Sequence, residues 1–461
     1  MILKLSLCLF AAASGSAFAV DGLPDSTFGF LSSGRNVISL NNGGTNSDAT
    51  VDVLVNADRS IFMVGTSTGS AGTSRYAITK LTPNGAINTS FGSNGTVYST
   101  MTNVQASRAR LDANGNLVIV GTLTGSGTDK DFHICRFNPQ GQPAPFSAIG
   151  TNCKRIAIDL GQNLTDEAND FNIDKQGRIT ILGTAGLHAG RSFVAMRRLL
   201  PDGQLDPTFG IEGDQFRGLF EFINTAINRG YALATASNGA YYIVGEAGDV
   251  NAPNGTGVLL ARIFSDGTRD WTFQNGASYA WFDINQGAAF HRDDQARAIQ
   301  ILSDGSIMVA GNFEVGSGAN QRNAFAFKFK PGNAATFDPN FGAQGQLYYS
   351  NGYSADFNRM LIQSDDQMVF VGTRQTTASS DSLMHIIRMS PNGGLDAQKF
   401  GVNGRVDVDF ILAGGDDYGR AVASQDGSLL IAGHSKNQNA QDIDQTITRL
   451  HNDLIFADDL E

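Results

Sequence analysis

Charged residues are scarce in this sequence. Asp, Glu, Lys and Arg make up 17% of its 461 residues, a composition that does not suit a protein of long helices. Beyond residue 19 no stretch is apolar enough to cross a membrane. The formal net charge of −11 lacks the basic footprint that nucleic acids and anionic membranes require. We therefore expect no nucleic-acid partner and no membrane span.

Motifs for metal, phosphate and nucleophilic chemistry are also missing. The six His residues show neither H-E-x-x-H nor a Cys/His pairing at zinc spacing, and no Gly-rich segment carries the Lys of a phosphate loop. Residues 170–174 start like a calcium loop, but Lys175 and Ile181 replace the required Gly and Glu. Residues 65–69 match G-x-S-x-G without the helix that a nucleophile elbow needs. We expect no catalytic residue, metal or cofactor.

Residues 1–19 have the features of an export signal. One Lys precedes an apolar run that ends in Ala17-Phe18-Ala19, as in a cleavable secretory leader. We expect a mature chain from Val20 in the periplasm, on the cell surface or in the medium. That chain keeps Cys135 and Cys153, which an oxidising compartment favours as a disulfide; the alternative is two buried thiols.

Glycine is abundant, at 54 residues, and punctuates short apolar runs in a repeat of about sixty residues. In each repeat an apolar run, a tight turn and a second apolar run that ends in Gly predict a hairpin. The closing glycines are Gly65, Gly121, Gly183, Gly245, Gly311, Gly372 and Gly433.

A third strand in each repeat carries a basic residue at one fixed place. These residues are Lys80, Arg136, Arg198, Arg262, Lys328, Arg388 and Arg449. A turn, a motif such as GQLDPTFG at 203–210 and a short fourth strand follow. Four-stranded units with two apolar faces bury both when they are arranged radially, which predicts a β-propeller.

The two ends of the chain complement each other. The seventh repeat stops after its third strand, at residues 446–450, and residues 25–40 supply the missing motif and fourth strand. We predict an all-β, seven-bladed β-propeller of four-stranded antiparallel blades, closed by the N-terminal strand that completes the last blade. Residues 20–450 form this single domain, and residues 451–461 form a short tail, either a frayed end or a sorting signal.

The acidic residue of the motif follows the strand with the basic residue by one turn. Asp25, Asp206, Asp270 and Asp338 stand three residues before the Phe. We expect each to form either an ion pair with the basic residue or an Asx-type turn bond, and Asp25 to reach Arg449 across the closure.

These features resemble the delta-60 repeat of bacterial secreted and surface proteins. The resemblance is clearest in SDGSIMVAG at 303–311, RLLPDGQLDPTFGIEG at 198–213 and RMSPNGGLDAQKFGVNG at 388–404, and it covers essentially the whole mature chain. It implies a β-propeller-type fold and brings no catalytic residues. Repeats two and four depart from the motif, with PAPFSAIG at 143–150 and WTFQNG at 271–276.

The long, variable loops of a propeller lie on one face, where binding sites usually form on a rigid scaffold. Repeat four has the longest of these loops, at 246–257 and 283–294. The candidate binding residues there, which offer carboxylates for a cation or hydroxyls and an aromatic ring for stacking, are Glu246, Asp249, Trp281, Asp283, His291, Asp293 and Asp294. The alternative is that these acidic loops serve only solubility.

We expect a monomeric binding or surface-interaction module for an unknown extracellular ligand or protein. One alternative is a propeller enzyme, a hydrolase or lyase acting on polysaccharide or ester, and another is a purely structural surface repeat. An enzyme would bring two carboxylates or a Ser-His pair together in the central funnel.

Overall fold

A computed structural model describes residues 21–452, except for 41–46, 70–71, 126–128, 159–164, 188–189, 211–217, 224–225, 250–254, 285–292, 316–320, 351–353, 376–380, 411–414 and 438–441. The described residues form an all-β protein of antiparallel sheets. The helical turns among these residues are of the 3-10 type and include Phe30–Ser32 and Phe273–Gly276. Within these ranges no helix has the length and apolarity to cross a membrane.

Four sheets consist of four consecutive strands each. The first sheet contains β6 (Val104–Leu111), β7 (Leu117–Thr124), β8 (Lys130–Phe137) and β9 (Cys153–Ile156). The second contains β10 (Asp166–Ile173), β11 (Ile179–Gly186), β12 (Ser192–Leu199) and β13 (Leu219–Phe220). The third sheet contains β14 (Ala226–Thr235), β15 (Tyr241–Asp249), β16 (Gly257–Ile263) and β17 (Tyr279–Phe282). The fourth contains β18 (Asp294–Ile301), β19 (Ile307–Glu314), β20 (Arg322–Phe329) and β21 (Gln346–Tyr349). A fifth sheet contains β22 (Ser354–Ala355), β23 (Arg359–Ile362), β24 (Met368–Gln375), β25 (Ser382–Met389) and β26 (Arg405–Val408).

The remaining strands form one eight-stranded sheet that divides into two groups. One group is β2 (Ser47–Val55), β3 (Ile61–Thr68), β4 (Ser74–Leu81) and β5 (Thr96–Tyr98). The other is β27 (Gly415–Gln425), β28 (Ser428–Asn437), β29 (Ile443–Leu450) and the N-terminal strand β1 (Arg35–Ile38). A single parallel residue pair, Ser47 with Ile443, joins the groups. Strand β1 lies antiparallel to β29, with Arg35 opposite Thr448 and Ile38 opposite Gln445.

The strand groups pack face to face in chain order. The first strands β2, β6, β10, β14, β18, β23 and β27 each contact the next, and β27 also contacts β2. The second strand of each group is therefore covered on both faces. In β3, for example, every residue from Ile61 to Ser67 is buried. This double burial explains why the second strand reads as a continuous apolar run rather than an alternating one.

The glycine that ends each apolar run lies against a β-bulge in the first strand of its group. At Gly245, an added Cβ would lie 1.8 Å from the carbonyl oxygen of Arg229, and the ladder between β14 and β15 skips Tyr231 beside it. The repeated Gly is needed because the bulge brings this backbone carbonyl too close for any side chain. The bulge releases one residue of each inner strand from pairing.

The Asp-Phe-Gly motif forms a corner in which both expected interactions share one carboxylate. Asp25 accepts a hydrogen bond from the backbone N–H of Thr27 (2.8 Å) and forms an ion pair with Arg449 (2.7 Å). Phe28 lies under the same guanidinium, and an added Cβ on Gly85 of the next turn would strike its ring at 2.6 Å. The Phe of one corner thus packs into the glycine turn of the following repeat.

The same corner ion pair recurs along the chain. It joins Arg198 to Asp206 (2.7 Å), Arg262 to Asp270 (2.5 Å), Lys328 to Asp338 (3.4 Å) and Arg388 to Asp396 (2.8 Å). Repeat two departs from it, because Arg136 instead donates to the carbonyl oxygens of Ala144 and Pro145. The sequence departure at 143–150 therefore replaces an ion pair with backbone hydrogen bonds.

Cys135 and Cys153 lie opposite each other on β8 and β9. A disulfide joins Cys135 to Cys153, the bridged alternative of the two that the sequence left open. His133 lies beside it and shares a 3.0 Å hydrogen bond with the hydroxyl of Tyr76 in the neighbouring group. His133, Cys135 and Cys153 lie within 4.8 Å of one another, but the disulfide occupies both sulfur atoms.

Candidate functional site

The residues released by the bulges line one cavity at the centre of the strand groups. Its volume is about 580 Å³, and inner-strand residues from every group contribute to its wall. The bulge residues, together with the matching residue at the break between β22 and β23, are Val51, Ser107, Asn169, Tyr231, Arg297, Asn358 and Arg420. A neighbouring cavity of about 310 Å³ shares Tyr231, Arg297 and Arg359 with it, and we refer to the two cavities together as the central channel.

Three arginines on consecutive inner strands face this channel without a carboxylate partner. Among the described residues, no carboxylate oxygen lies within 4.0 Å of the guanidinium nitrogens of Arg297, Arg359 or Arg420. Arg297 instead lies over the ring of Tyr231, with its Cζ 4.1 Å from the ring centroid, and Arg420 lies 5.3 Å over that of Tyr418. Stacking holds Arg297 and Arg420 in place without an ion pair. Carboxylates act on the three arginines only at longer range, Asp356 on Arg297 and Arg420 and both Asp52 and Asp170 on Arg359.

Arg359 is the most constrained of the three arginines. Its Nη1 donates to the carbonyl oxygen of Asn358 (2.9 Å), while its buried Nε has no hydrogen-bond partner. Burial, together with the charge of Arg108, lowers the pKa of Arg359 to about 9, so the side chain stays protonated at neutral pH at an energetic cost. An anion between these guanidinium groups would remove that cost.

A second set of channel charges is fully paired. Arg108 contacts Asp170 at 3.1 Å and Asp52 at 3.3 Å, and Arg110 contacts Asp170 at 3.0 Å. Burial alone would raise the pKa of Asp170, but the charges of Arg108 and Arg110 hold it below its usual value. These ion pairs neutralise the side of the channel formed by β2, β6 and β10. The positive charge is concentrated on β18, β23 and β27.

Arg322, His434 and Asp356 also line the larger cavity. Burial and then the charge of Arg420 lower the pKa of His434 to about 3, so the imidazole is neutral at pH 7. Burial raises the pKa of Asp356, whose Oδ1 accepts hydrogen bonds from the backbone N–H of Thr373 and from Nδ2 of Asn358. Asp356 forms no ion pair with the three arginines, but its charge interacts with those of Arg420 and Arg297 at longer range.

Those residues predicted from the loops of repeat four that the structure describes are not among the lining residues of the two cavities. Glu246 is fully buried and accepts hydrogen bonds from Arg229, Tyr231, Thr256 and Gln295 at 2.5–2.9 Å. These donors saturate the carboxylate, and its pKa lies below the usual value although burial opposes this. Glu246 therefore acts as a structural hub that orients Tyr231 beneath Arg297.

The other acidic candidates gather near this hub. Asp293 accepts a hydrogen bond from the same Thr256 hydroxyl (3.2 Å), and the charges of Asp283 and Asp293 both act on Asp294. Trp281 is 37% exposed and donates from Nε1 to the carbonyl oxygen of Ala247 (2.7 Å). Within the described ranges, no three carboxylates bring an oxygen atom each within 4.8 Å of one another. His291 lies outside the described residues, as does the side chain of Asp249; the loop site stays a prediction.

Two motifs that the sequence analysis set aside are accounted for by these contacts. Ser67, within the G-x-S-x-G match, is fully buried inside β3. Asp170, at the start of the calcium-like spacing, is held by Arg108 and Arg110 in the channel. Burial keeps Ser67 from acting as an exposed nucleophile, and the two ion pairs occupy the carboxylate of Asp170 in place of a metal ion.

Asp294 belongs to a set of buried carboxylates that begin inner strands. Asp48, Asp294 and Asp417 each accept a backbone N–H from the segment before their strand, namely from Leu40, Ile284 and Phe410. Burial raises their pKa values to about 6, 7 and 6. An Asp in an unfolded chain titrates near pH 4, so the folded state binds these protons more tightly than the unfolded state does.

We expect Asp294→Asn to gain stability relative to the wild type as the pH rises. The stabilisation from the protonated Asp294 is fully present below about pH 4 and is lost as the pH rises through about 7. The variant keeps an oxygen that accepts the Ile284 N–H but has no charge to desolvate. Melting temperatures at pH 5, 6, 7 and 8 should show the variant gaining several degrees on the wild type across this range. A difference that is the same at all four values would contradict the raised pKa.

The channel arginines were missed because the sequence analysis looked for function in loops. A positional signal does exist. The bulge residue stands fourteen positions before the repeated Gly, as in Arg297 and Gly311, and thirteen before it in Arg420 and Gly433. The identity of this residue changes from repeat to repeat, so it leaves no motif. Only knowledge of the bulge shows that these positions share one cavity.

Comparison with known proteins defines the class as a β-propeller. Residues 57–91, 109–143 and 177–209 match a family described as Domain of unknown function (DUF5122) beta-propeller. No curated protein matches the chain. Among solved structures, the polysaccharide lyase Uly1 has a TM-score of 0.53 and 11% identity, with 87% of this chain and 90% of that chain covered. An ulvan lyase of a polysaccharide lyase family termed PL25 has a TM-score of 0.47 and 10% identity, with 88% and 94% covered.

The family match supports a β-propeller repeat family, and the likeness to Uly1 is a likeness of fold alone. At 11% identity this likeness says nothing further about activity. The function has to be argued from the channel itself.

Proposed function

We propose that the protein is an exported, seven-bladed β-propeller that binds an anionic ligand in its central channel. In this proposal β1 completes the blade of β27, β28 and β29 and closes the ring. The pairing of β1 with β29, the contact of β27 with β2 and the Asp25–Arg449 ion pair support closure. The sequence resemblance to delta-60 repeats and the leader at 1–19 support export.

The observation that carries the binding role is the set of three unpaired arginines, Arg297, Arg359 and Arg420, on one channel wall. The chain as a whole has a formal charge of −11, so a cavity lined by arginines has the opposite sign to the protein's net charge. Like charges that face one another in a partly buried cavity destabilise the unliganded protein. A bound anion would compensate them with charge-assisted hydrogen bonds.

A binding role is favoured over the enzyme alternative by the state of the channel carboxylates. A hydrolase would need two carboxylates free to act as acid and base, whereas Arg108 contacts both Asp52 and Asp170, which leaves Asp356 as a single carboxylate on the described wall of the larger cavity. The purely structural alternative does not account for guanidinium groups stacked on Tyr231 and Tyr418 beside a cavity of about 580 Å³. The monomeric state remains part of the proposal.

The test is anion binding by the protein and by two triple variants. We expect inorganic sulfate and citrate to raise the melting temperature of the wild type in a saturable way, because they bind the native state. Arg297→Gln/Arg359→Gln/Arg420→Gln should bind them at least about tenfold more weakly in titration calorimetry, since each charged hydrogen bond contributes about 1.5–3 kcal/mol. The matched control is Lys175→Gln/Lys330→Gln/Lys399→Gln, which removes three charges from exposed positions.

The control should keep wild-type affinity. Equal weakening in both variants would mean that the effect is overall charge and not a channel site. No saturable binding of either anion by the wild type would refute the anion site.

A further inference from the structure

The channel has two chemically different sides at the level of the bulges. Arg297, Arg359 and Arg420 belong to β18, β23 and β27, which are neighbours in the ring of inner strands. The strands β2, β6 and β10 form the other side and present neutral polar groups to the same cavity. These are Thr50, Gln105, Ser107 and Asn169.

The neutral side offers both donors and acceptors. Asn169 donates from Nδ2 to the carbonyl oxygen of Gly230 (2.8 Å), which orients its amide and leaves Oδ1 as an acceptor. Gln105 on β6 is exposed, and Ser107, the bulge residue of the same strand, is half-exposed. The neutral amide and hydroxyl groups on this side of the cavity can form hydrogen bonds with the hydroxyl groups of a ligand.

The charged side offers fixed planar donors. Stacking on Tyr231 and a hydrogen bond to Gln295 hold Arg297, and stacking on Tyr418 holds Arg420. Stacking uses the face of a guanidinium and leaves the N–H groups at its edge for a ligand. Carboxylate and sulfate oxygens match this edge in geometry and charge.

We propose that the channel ligand is an acidic saccharide, a sugar that carries carboxylate or sulfate groups. Its anionic substituent contacts Arg297, Arg359 and Arg420, and its hydroxyl groups contact Gln105, Ser107 and Asn169. This inference rests on the proposed anion site and specifies its ligand class.

Size and surface chemistry favour this class over other anions. A cavity of about 580 Å³ lies within the range of about 300–1,000 Å³ for small-molecule sites and is larger than a single inorganic anion needs. An acidic peptide would call for apolar pockets, whereas the aliphatic side chains that line the larger cavity are the small residues Ala49, Val51 and Ala106. A saccharide uses both the neutral and the charged side.

The test compares three oligosaccharides of equal length with inorganic sulfate. We expect a uronic-acid trisaccharide or a sulfated trisaccharide to bind the purified wild type at least about tenfold more tightly than a neutral trisaccharide and than inorganic sulfate. The two acidic probes distinguish carboxylate from sulfate as the preferred substituent.

Variants of each side separate this inference from the proposed function. Gln105→Ala/Ser107→Ala should weaken the binding of the tighter-binding acidic trisaccharide about tenfold. It should leave the binding of inorganic sulfate unchanged, because it removes only contacts to the hydroxyl groups of the ligand. Arg297→Gln/Arg359→Gln/Arg420→Gln should weaken both probes. If sulfate binds as tightly as either acidic trisaccharide, the saccharide assignment is wrong and the anion site stands. If neither sulfate nor an acidic saccharide binds, both proposals fail.

Discussion

A chain that begins at residue 41 is expected to melt at least about 5 °C below the full mature protein. It lacks β1, which pairs with β29, and it lacks Phe28, which is fully buried against the turn at Gly85. Truncation of one such Phe costs about 3–5 kcal/mol, and the deletion also leaves the guanidinium of Arg449 without Asp25. Thermal unfolding followed by circular dichroism measures the difference.

Rescue in trans provides the control for this deletion. A synthetic peptide of residues 21–40 should restore most of the lost melting temperature when it is added in excess, since it can occupy the open edge of β29. The same peptide with Phe28→Ala should restore much less. An unchanged melting temperature after deletion would show that the N-terminal strand does not close the ring.

Arg388→Met is expected to destabilise the protein by about 3–5 kcal/mol, the usual cost of removing one partner of a buried ion pair. The guanidinium of Arg388 is nearly inaccessible and contacts Asp396 (2.8 Å), Asp21 (2.6 Å) and the side chain of Asn452 (2.6 Å). The variant removes the guanidinium that two carboxylates contact at this corner. Urea denaturation, analysed by linear extrapolation, gives the free energy of unfolding.

Arg136→Met is the matched control, because Arg136 holds the same place in repeat two but binds only backbone carbonyl oxygens. Its loss should cost about 1 kcal/mol. Adding Asp396→Asn to Arg388→Met should recover part of the loss by removing one buried charge. Equal costs for the two Arg variants would mean that the corner ion pairs contribute little.

The strand order could be predicted because every repeat obeys the same packing rule. A second strand buried on both faces must be an apolar run, and a bulge opposite it must be met by Gly, as at Gly245. The complementary chain ends likewise pointed to the pairing of β1 with β29. Each of these features recurs with the same residue types, so it is visible in one sequence.

The channel site could not be predicted in the same way. Residues on the bulges need no particular side chain to maintain the sheet, so Ser107, Tyr231 and Arg297 share a position without sharing chemistry. Acidic loop residues looked functional, whereas the structure uses Glu246 to bind four donors in the interior. Whether a carboxylate is saturated depends on contacts between strands that are distant in sequence.

The bulge opposite each repeated glycine separates two tasks within one strand. Residues on either side of Arg297 keep the hydrogen-bonded ladder between β18 and β19, while Arg297 itself takes no part in that ladder. Substitutions at such positions can therefore alter what the channel holds at little expense to the scaffold. The side chains at the bulges can thus change while the ladder hydrogen bonds stay the same, which makes these positions suitable for redesign toward a chosen ligand.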